Sequence, residues 1–155
     1  MLYDFAGLYG LWQFYEITGD KAVLQICLDW FRDRFAIGTS KVSKTLCSTL
    51  RAYTDDLYEI KQNVNTMSSF LTAAYVHDAG LANYAVHLDS WAEWLMNDMP
   101  RTEEGGLQHI TYLDENYQQL WDDTLMMSVL PLTKIGLILG RSEYVEEAKR
   151  QFILQ

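Results

Sequence analysis

The sequence predicts an all-α protein built from repeated helical hairpins. Apolar residues recur at close to the helical period along most of the chain. There are two prolines, and no run of alternating β-branched residues indicates a sheet. Three glycines, Gly19, Gly80 and Gly140, stand 61 and 60 residues apart between periodic segments. One hairpin cannot cover its own apolar face, so repeated hairpins indicate a solenoid or a closed α/α toroid.

Each predicted hairpin is two helices joined at one of these glycines. In the first, Gly19 ends a helix and Asp20 caps the next, because its carboxylate can accept bonds from the free N–H groups of the first turn. Gly80 and Gly140 play the same part in the second and third hairpins. The six predicted helices cover residues 2–18, 21–35, 69–78, 83–99, 124–139 and 142–155.

Placing the three glycines in register aligns the apolar positions of the second helices. Cys27 aligns with Leu88 and Ala148, and Trp30 aligns with Trp91. The identity between repeats is low, but the pattern is consistent, which supports the repeated-hairpin architecture.

Residues 39–62 form an atypical segment between the first two hairpins. Leu46, Leu50, Tyr53 and Leu57 follow helical spacing there, and no Gly or Pro interrupts them. This pattern predicts an extra helix rather than a linker. We expect residues 1–155 to form one partial toroid domain with this segment as an insertion.

Composition and charge limit the classes of partner. The chain has 155 residues, 49% of them hydrophobic, which is enough for one moderate core. Its net charge of −9 argues against nucleic acid and against an anionic membrane surface. No apolar run reaches bilayer length and no secretory leader precedes the first helix, so a cytoplasmic location is predicted. Cys27 and Cys47 lack metal-ligand spacing and are predicted to be free thiols.

The stretch that most suggests chemistry is residues 105–127, GGLQHITYLDENYQQLWDDTLMM. It enters an apolar helix at Trp121, Asp122 and Asp123. One interpretation is structural, because an Asp at a helix start accepts bonds from free N–H groups and the helix dipole favours its charge. The other is functional, because carboxylates beside a Trp in a polar, aromatic loop are typical of a sugar-binding cleft.

The connection before this helix, residues 101–119, is long for a compact helical domain, and long loops are often functional. The alternation of Leu107, His109, Thr111 and Leu113 predicts a short strand pair. His109 becomes a stronger candidate when it is considered together with Trp121 and Asp122.

Asn65 precedes the third long helix and also has two interpretations. Its side chain suits an N-cap position. Its amide could instead bond a sugar hydroxyl at the mouth of a toroid.

Three segments resemble the unsaturated glucuronyl and rhamnogalacturonyl hydrolases of glycoside hydrolase families 88 and 105, the latter most closely. The resemblance implies an (α/α)6 barrel, of which three hairpins make about half. The segments are YDFAGLYGLWQFYEITGD (residues 3–20), NVNTMSSFLTAAYV (63–76) and GGLQHITYLDENYQQLWDDTLMMSVLPLTKIG (105–136), the last continuing in EYVEEAKRQF (143–152).

The resemblance also implies an activity, namely removal of a Δ4,5-unsaturated uronic acid from the non-reducing end of lyase-generated oligosaccharides. The reaction is hydration of a vinyl ether by one Asp, and no metal or organic cofactor is implied. The acid/base Asp of the family falls in WDDT, where the resemblance favours Asp122. The substrate contacts carried over are Tyr3, Asn65, His109, Trp121 and Asp123.

Half a barrel exposes an apolar edge, so a homodimer or a complementing chain is expected to cover it. Two other functional classes compete with the hydrolase. One is a non-catalytic carbohydrate-binding or scaffolding α-hairpin module. The other is a different α/α-toroid enzyme such as a sugar epimerase, which would need more histidines within helices than this chain has.

Overall fold

A computed structural model describes residues 2–39, 68–109 and 114–154. Over these residues the fold is all-α, as predicted, with no strand. In chain order the α-helices are α1 Leu2–Thr18, α2 Lys21–Thr39, α3 Phe70–Asp78, α4 Ala85–Asn97, α5 Leu130–Leu139 and α6 Ser142–Leu154. A short 3₁₀ turn covers Asp114–Asn116. No helix in the described ranges combines the length and the apolarity needed to cross a bilayer.

Each of the three hairpins turns at a glycine in the left-handed conformation. Gly19, Gly80 and Gly140 have φ angles of 69°, 69° and 68°. Other residues pay roughly 1–2 kcal/mol to adopt this region. The same backbone angle at all three positions confirms the repeat predicted from their spacing. The helix bounds differ from prediction by a few residues, most at the end of α2, which continues to Thr39.

The strand pair predicted near His109 is not formed in the described part of the loop. One isolated antiparallel bridge joins Arg101 and Leu107, and residues 110–113 lie outside the described residues. The reason is local, because the Leu107 N–H is bonded by the side chain of Gln151 and not by a second strand.

Several predictions lie outside the described residues. These are the extra helix between residues 39 and 62 (apart from Thr39, which ends α2), the thiol of Cys47 and the placement of Asn65. They stay predictions, as does the organisation of residues 1–155 as one domain.

By their contacts the residues group into two compact units, Leu11–Lys61 and Met1–Gly10 with Gln62–Gln155. In the first unit, Asp20 caps α2 as predicted, since its Oδ1 accepts the Ala22 N–H at 2.9 Å. Cys27 is buried and carries a thiol, and burial raises the pKa of this thiol. The buried apolar side chains described in this unit are Trp12, Leu24, Cys27 and Phe31.

In the second unit α5 is central and packs against α3, α4 and α6. Leu88 and Ala148, which the repeat aligns, are 0% and 1% exposed. Helices α4 and α6 are also joined by polar contacts. Asp89 on α4 accepts bonds from Arg141 Nη2 at 2.7 Å and from the Tyr144 hydroxyl at 2.8 Å. These helices form the scaffold that supports the loop after α4.

Residues 123–139 form one continuous helix that contains a π-helical segment, Leu125–Val129, before α5. Here the Leu130 N–H bonds to the carbonyl of Leu125, five residues back. Pro131 has no N–H, so regular α-helical bonding would leave the Met127 carbonyl without its partner in any case. Such π segments within α-helices are frequent at functional sites. This one separates the paired carboxylates at residues 122–123 from the core-facing part of the helix.

Candidate active site

The candidate site lies where the loop after α4 meets the helix that begins at residue 123. A tight turn fixes the first part of this loop. The Thr102 N–H donates to the Gly106 carbonyl at 2.9 Å, and the Gly106 N–H donates to Thr102 Oγ1 at 3.0 Å. Gly105 has a φ of 89° in this turn, and a Cβ there would lie 2.7 Å from Arg150 Nη1. Gly105 is thus explained by close packing of the loop on α6, and Gly106 by close packing within the loop, since a Cβ there would lie 2.6 Å from Leu120 Cδ2.

His109 ends the described part of this loop and is 7% exposed. Its Nδ1 lies 3.0 Å from Thr124 Oγ1 and 3.1 Å from Asp123 Oδ1. A lone pair on Nδ1 would face the charge of the carboxylate, so we place the proton of the neutral ring on Nδ1. The hydroxyl of Thr124 accepts this proton in a hydrogen bond. Nε2 is then the basic nitrogen, as in other sites where a carboxylate orients a histidine.

Two opposing effects act on the protonation of His109. Burial lowers the pKa of His109 below its ordinary value of 6.5, and the charge of Asp123 opposes this with a smaller upward effect. Burial prevails, so the imidazole is neutral at neutral pH.

Trp121 covers one face of the His109 ring. The ring centroids are 4.6 Å apart and the planes make an angle of 8°. The Trp121 Nε1–H donates to Gln119 Oε1 at 3.0 Å, and Asn116 Nδ2 donates to the same oxygen at 2.9 Å. The indole is therefore held in place while 39% of the residue stays exposed. An exposed, fixed aromatic ring suits stacking against the apolar face of a sugar.

The neighbours Asp122 and Asp123 have different surroundings. Asp122 is exposed. The side chain of Asp123 is 42% exposed, yet its Oδ1 is buried and accepts no hydrogen bond from any residue that the structure describes. The nearby Nδ1 of His109 is close enough for an electrostatic contact, but its proton points to Thr124. A buried carboxylate oxygen without a hydrogen bond is unusual and is often found at catalytic positions.

The start of this helix is satisfied without either carboxylate. The Thr124 N–H bonds to the Trp121 carbonyl at 2.9 Å, and the Leu125 N–H bonds to the Asp122 carbonyl at 3.1 Å. Both acceptors are backbone oxygens. The capping interpretation of the Asp pair is therefore not supported at these two donors, which favours the functional interpretation.

Of the six site residues predicted from the sequence, the structure brings three into one cluster, namely His109, Trp121 and Asp123. Asp122 is adjacent in the chain and exposed. Tyr3 lies in α1, but its side chain is not described, and Asn65 lies outside the described residues. In the part of the chain that the structure describes, no three His, Cys, Asp or Glu side chains gather as a metal-binding group.

Two residues of the cluster were not anticipated. Thr124 holds the imidazole, and Gln119 holds the indole. The available signal for Thr124 was its position directly after the Asp pair, where a small hydroxyl at a helix start suggests a hydrogen bond. Nothing in the sequence distinguishes Gln119 from the other polar residues of the loop.

The sequence is similar to those of known proteins over nearly its whole length. Residues 3–155 match the family model described as Glycosyl Hydrolase Family 88. The match defines the protein by class as a member of a glycoside hydrolase family. It belongs to Glycosyl Hydrolase Family 88.

Individual relatives agree with this assignment and are longer. The unsaturated rhamnogalacturonyl hydrolase YesR of Bacillus subtilis (strain 168) is 27% identical over 147 residues, which are 93% of this chain and 37% of the relative. Crystal structures of possible members of the GH105 family from Salmonella enterica serovar Paratyphi A and Klebsiella pneumoniae are each 49% identical. Each gives a TM-score of 0.76 and is matched over 97% of this chain and 35% of its own length. The chain thus spans about a third of the length of these relatives.

Proposed function

We propose that this chain acts in the release of a Δ4,5-unsaturated uronic acid from the non-reducing end of lyase-generated oligosaccharides. The observation that carries the proposal is the cluster of His109, Trp121 and Asp123, in which a carboxylate oxygen is buried beside an imidazole and receives no hydrogen bond from the residues that the structure describes. Membership of Glycosyl Hydrolase Family 88 and the activity for which the Bacillus subtilis relative is named support the substrate class.

In the proposed reaction one Asp acts as acid and then as base. Its carboxyl group gives a proton to C4 of the vinyl ether, and a water adds at C5 and returns a proton to the carboxylate. The hemiketal that results opens and releases the sugar, so no proton is gained or lost by the enzyme overall. Trp121 offers its exposed ring to the pyranose, and His109 fixes the position of the neighbouring carboxylate.

The two neighbouring carboxylates are distinguished by how well they are held. An acid/base group must stay within about 0.5 Å of its productive position. Asp123 Oδ1 is buried 3.1 Å from His109 Nδ1, an electrostatic contact that restrains the carboxylate, while 42% of the Asp123 side chain is exposed. We therefore assign the acid/base role to Asp123. The sequence-based assignment to Asp122 stays a competing prediction, in which this exposed carboxyl group is the acid/base group.

Paired variants decide between the two carboxylates. The assay follows the loss of absorbance of the conjugated double bond, with unsaturated galacturonyl-rhamnose as substrate. Asp123→Asn should lower kcat at least about 100-fold, the usual scale for a lost general acid/base group, while Asp122→Asn should lower it several-fold at most. The reverse pattern would return the role to Asp122. Unchanged turnover in both variants would remove the pair from the mechanism.

A non-catalytic carbohydrate-binding module is the second candidate, because the fixed and 39% exposed ring of Trp121 suits stacking on a sugar without any chemistry. Calorimetry with the same disaccharide separates the two candidates. Binding without turnover by the wild-type chain favours the module, and turnover excludes it.

A further part of the proposal concerns what covers the last hairpin. Leu137, Phe152 and Ile153 on α5 and α6 are 66%, 53% and 85% exposed, and we propose that these large apolar side chains belong to one interaction surface. The proposed cover is a second copy of this chain. Sedimentation should then give twice the mass of the chain, with dissociation in Ile153→Asp. A monomeric wild type would leave a different, complementing chain as the cover. The cytoplasmic location stays a prediction.

A further inference from the structure

Gln151 is a polar residue in an apolar position of α6. It follows Tyr144 and Ala148 on the buried face of this helix and is itself 0% exposed. Burying a carboxamide is costly unless its donors and acceptor are bonded. The hydrogen bonds of this side chain therefore explain why an amide occupies a position where the helical spacing predicts an apolar residue.

The amide of Gln151 bonds the site loop at two backbone groups. Its Oε1 accepts the Leu107 N–H at 2.8 Å, and its Nε2 donates to the Gly105 carbonyl at 3.0 Å. Leu107 is 0% exposed, so its N–H has no access to solvent in compensation. Gln151 thus takes the place of a neighbouring strand for this short piece of extended chain.

A neighbouring carboxylate fixes which way the amide faces. Glu147 Oε1 accepts the second Nε2–H of Gln151 at 2.8 Å. A carboxylate accepts but does not donate, so the NH₂ group must face Glu147 and the oxygen must face Leu107. Glu147 is held in turn by an ion pair with Arg101, at the other end of the same turn.

The Gly105 carbonyl receives three donors at once. Besides Gln151, Arg150 Nη2 lies at 2.9 Å and Arg101 Nη1 at 3.3 Å. Two of these donors come from α6 and one from the loop itself. The loop is therefore anchored to the helix core immediately before the residues that enter the site.

The anchor lies two residues from the site. From Leu107 the chain passes through Gln108, whose N–H bonds to the Pro100 carbonyl at 3.1 Å, to His109. The imidazole then meets Trp121 and Thr124, which belong to the other side of the site. A displacement of about 1 Å at a catalytic group can cost about 100-fold in rate, so an anchor this close sets the geometry of the site.

We propose that Gln151 is a positioning residue of the active site, which places His109 against Trp121 and Asp123 by fixing the backbone of Gly105 and Leu107. The catalytic part of this inference rests on the proposed function, but the placement of His109 does not. This role differs from a purely structural one, because Gln151 fixes the position of one loop and does not support the packing of α6 as a whole.

The test compares three variants of the full chain. Gln151→Met keeps the length of the side chain and removes the amide. Gln151→Glu keeps an acceptor for the Leu107 N–H, but loses the donor to Gly105 and faces Glu147. Tyr144→Phe is the matched control, because it removes a part-buried hydrogen bond of the same helix, to Asp89, away from the loop.

The first readout is the NMR titration of His109, which needs no substrate. Burial lowers the pKa of His109, so release of the loop in Gln151→Met should move this pKa upwards and shift the imidazole resonances. Gln151→Glu should give a move in the same direction, and Tyr144→Phe should give none. A folded Gln151→Met or Gln151→Glu with the wild-type titration would overturn the proposal.

The second readout is turnover of unsaturated galacturonyl-rhamnose. Gln151→Met should lower kcat by about 10- to 100-fold with a smaller change in KM, and Tyr144→Phe should retain kcat. Equal losses of kcat in both variants would show a general effect of stability and contradict positioning. An inactive wild type would contradict the proposed function alone, since the titration still decides the placement of His109.

Discussion

The indole of Trp121 lies nearly parallel to the imidazole of His109, at a centroid distance of 4.6 Å and an angle of 8°. The indole covers one face of the histidine, which is 7% exposed although it lies in a loop. Burial is in turn the main reason why the pKa of His109 is lowered. The stacked pair therefore couples the position of the tryptophan to the protonation of the histidine.

Replacing the indole should change the titration of His109. In Trp121→Ala the imidazole loses its cover, so its pKa should rise towards the ordinary value of 6.5. NMR titration of the His109 ring protons measures this directly. Trp121→Phe keeps a ring on the imidazole and should give a smaller rise. A pKa in Trp121→Ala at or below that of the wild type would show that the indole does not shield His109.

Removing the charge of Asp123 should have the opposite effect. Asp123 raises the pKa of His109 against the effect of burial, so Asp123→Asn should lower it further. The same NMR titration provides the measurement. Asp122→Asn is the matched control, since it removes an equal charge from the exposed neighbour. An equal fall of the pKa of His109 in both variants would mean that the contact of 3.1 Å between Asp123 and His109 affects this pKa no more than the charge of Asp122 does.

Two glycine substitutions should change stability in opposite directions. At Gly140 the φ of 68° is unfavourable for alanine, so Gly140→Ala should cost about 1–2 kcal/mol of unfolding free energy. At Gly10, inside α1, a Cβ meets nothing within 4 Å, so Gly10→Ala should add about 0.5–1 kcal/mol. Urea denaturation measures both. The same sign for the two substitutions would contradict the assigned backbone conformations.

The anchor of the site loop should weaken in acid. Burial opposes the ionisation of Glu147, but hydrogen bonds from Arg150, Gln151 and Arg101 outweigh it and lower the pKa of Glu147 from 4.5 to about 2. A carboxyl with a lowered pKa in the folded state stabilises the fold fully above 4.5. That contribution is lost as the pH falls from 4.5 through about 2.

Glu147→Gln should therefore lower the unfolding free energy by about 1–3 kcal/mol at neutral pH, since it leaves buried donors without their charged acceptor. The difference from the wild type should shrink as the pH approaches 2. Melting temperatures across this range provide the measurement. Glu146→Gln is the control, because Glu146 is an exposed side chain paired with Lys149 and should change stability by less than about 1 kcal/mol. A difference that stays constant down to the lowest pH would contradict the ionised anchor.

Much of the fold could be predicted because short-range sequence features specify the hairpins. Gly19, Gly80 and Gly140 mark the turns, and the apolar period marks the helices that the structure describes. The π segment could not be predicted from these signals. It depends on how the backbone of the residues before Pro131 is hydrogen-bonded in the folded chain. The spacing of apolar residues is similar in a regular α-helix and in one that contains a π segment, so this spacing does not distinguish them.

The site was predictable as a region but not in its detail. The stretch with His109, Trp121 and the Asp pair could be recognised from composition and resemblance. Which carboxylate meets the imidazole depends on where the helix begins, and a shift of one residue turns a side chain by about 100°. Gln151 was overlooked because a polar residue near the end of a helix usually faces solvent.

The π segment has a genetic consequence. Deleting one residue from Leu125–Val129 would restore regular α-helical winding, and because the wide turn of the π segment holds one extra residue, the residues before it would keep their orientation relative to α5. The buried face of α5 lies beyond the deletion and would still pack. Asp123 would still face His109, so we expect the gene to tolerate the loss of one codon within this segment, whereas the loss of one codon within the regular helix Leu130–Leu139 would turn Asp123 by about 100° relative to the end of α5.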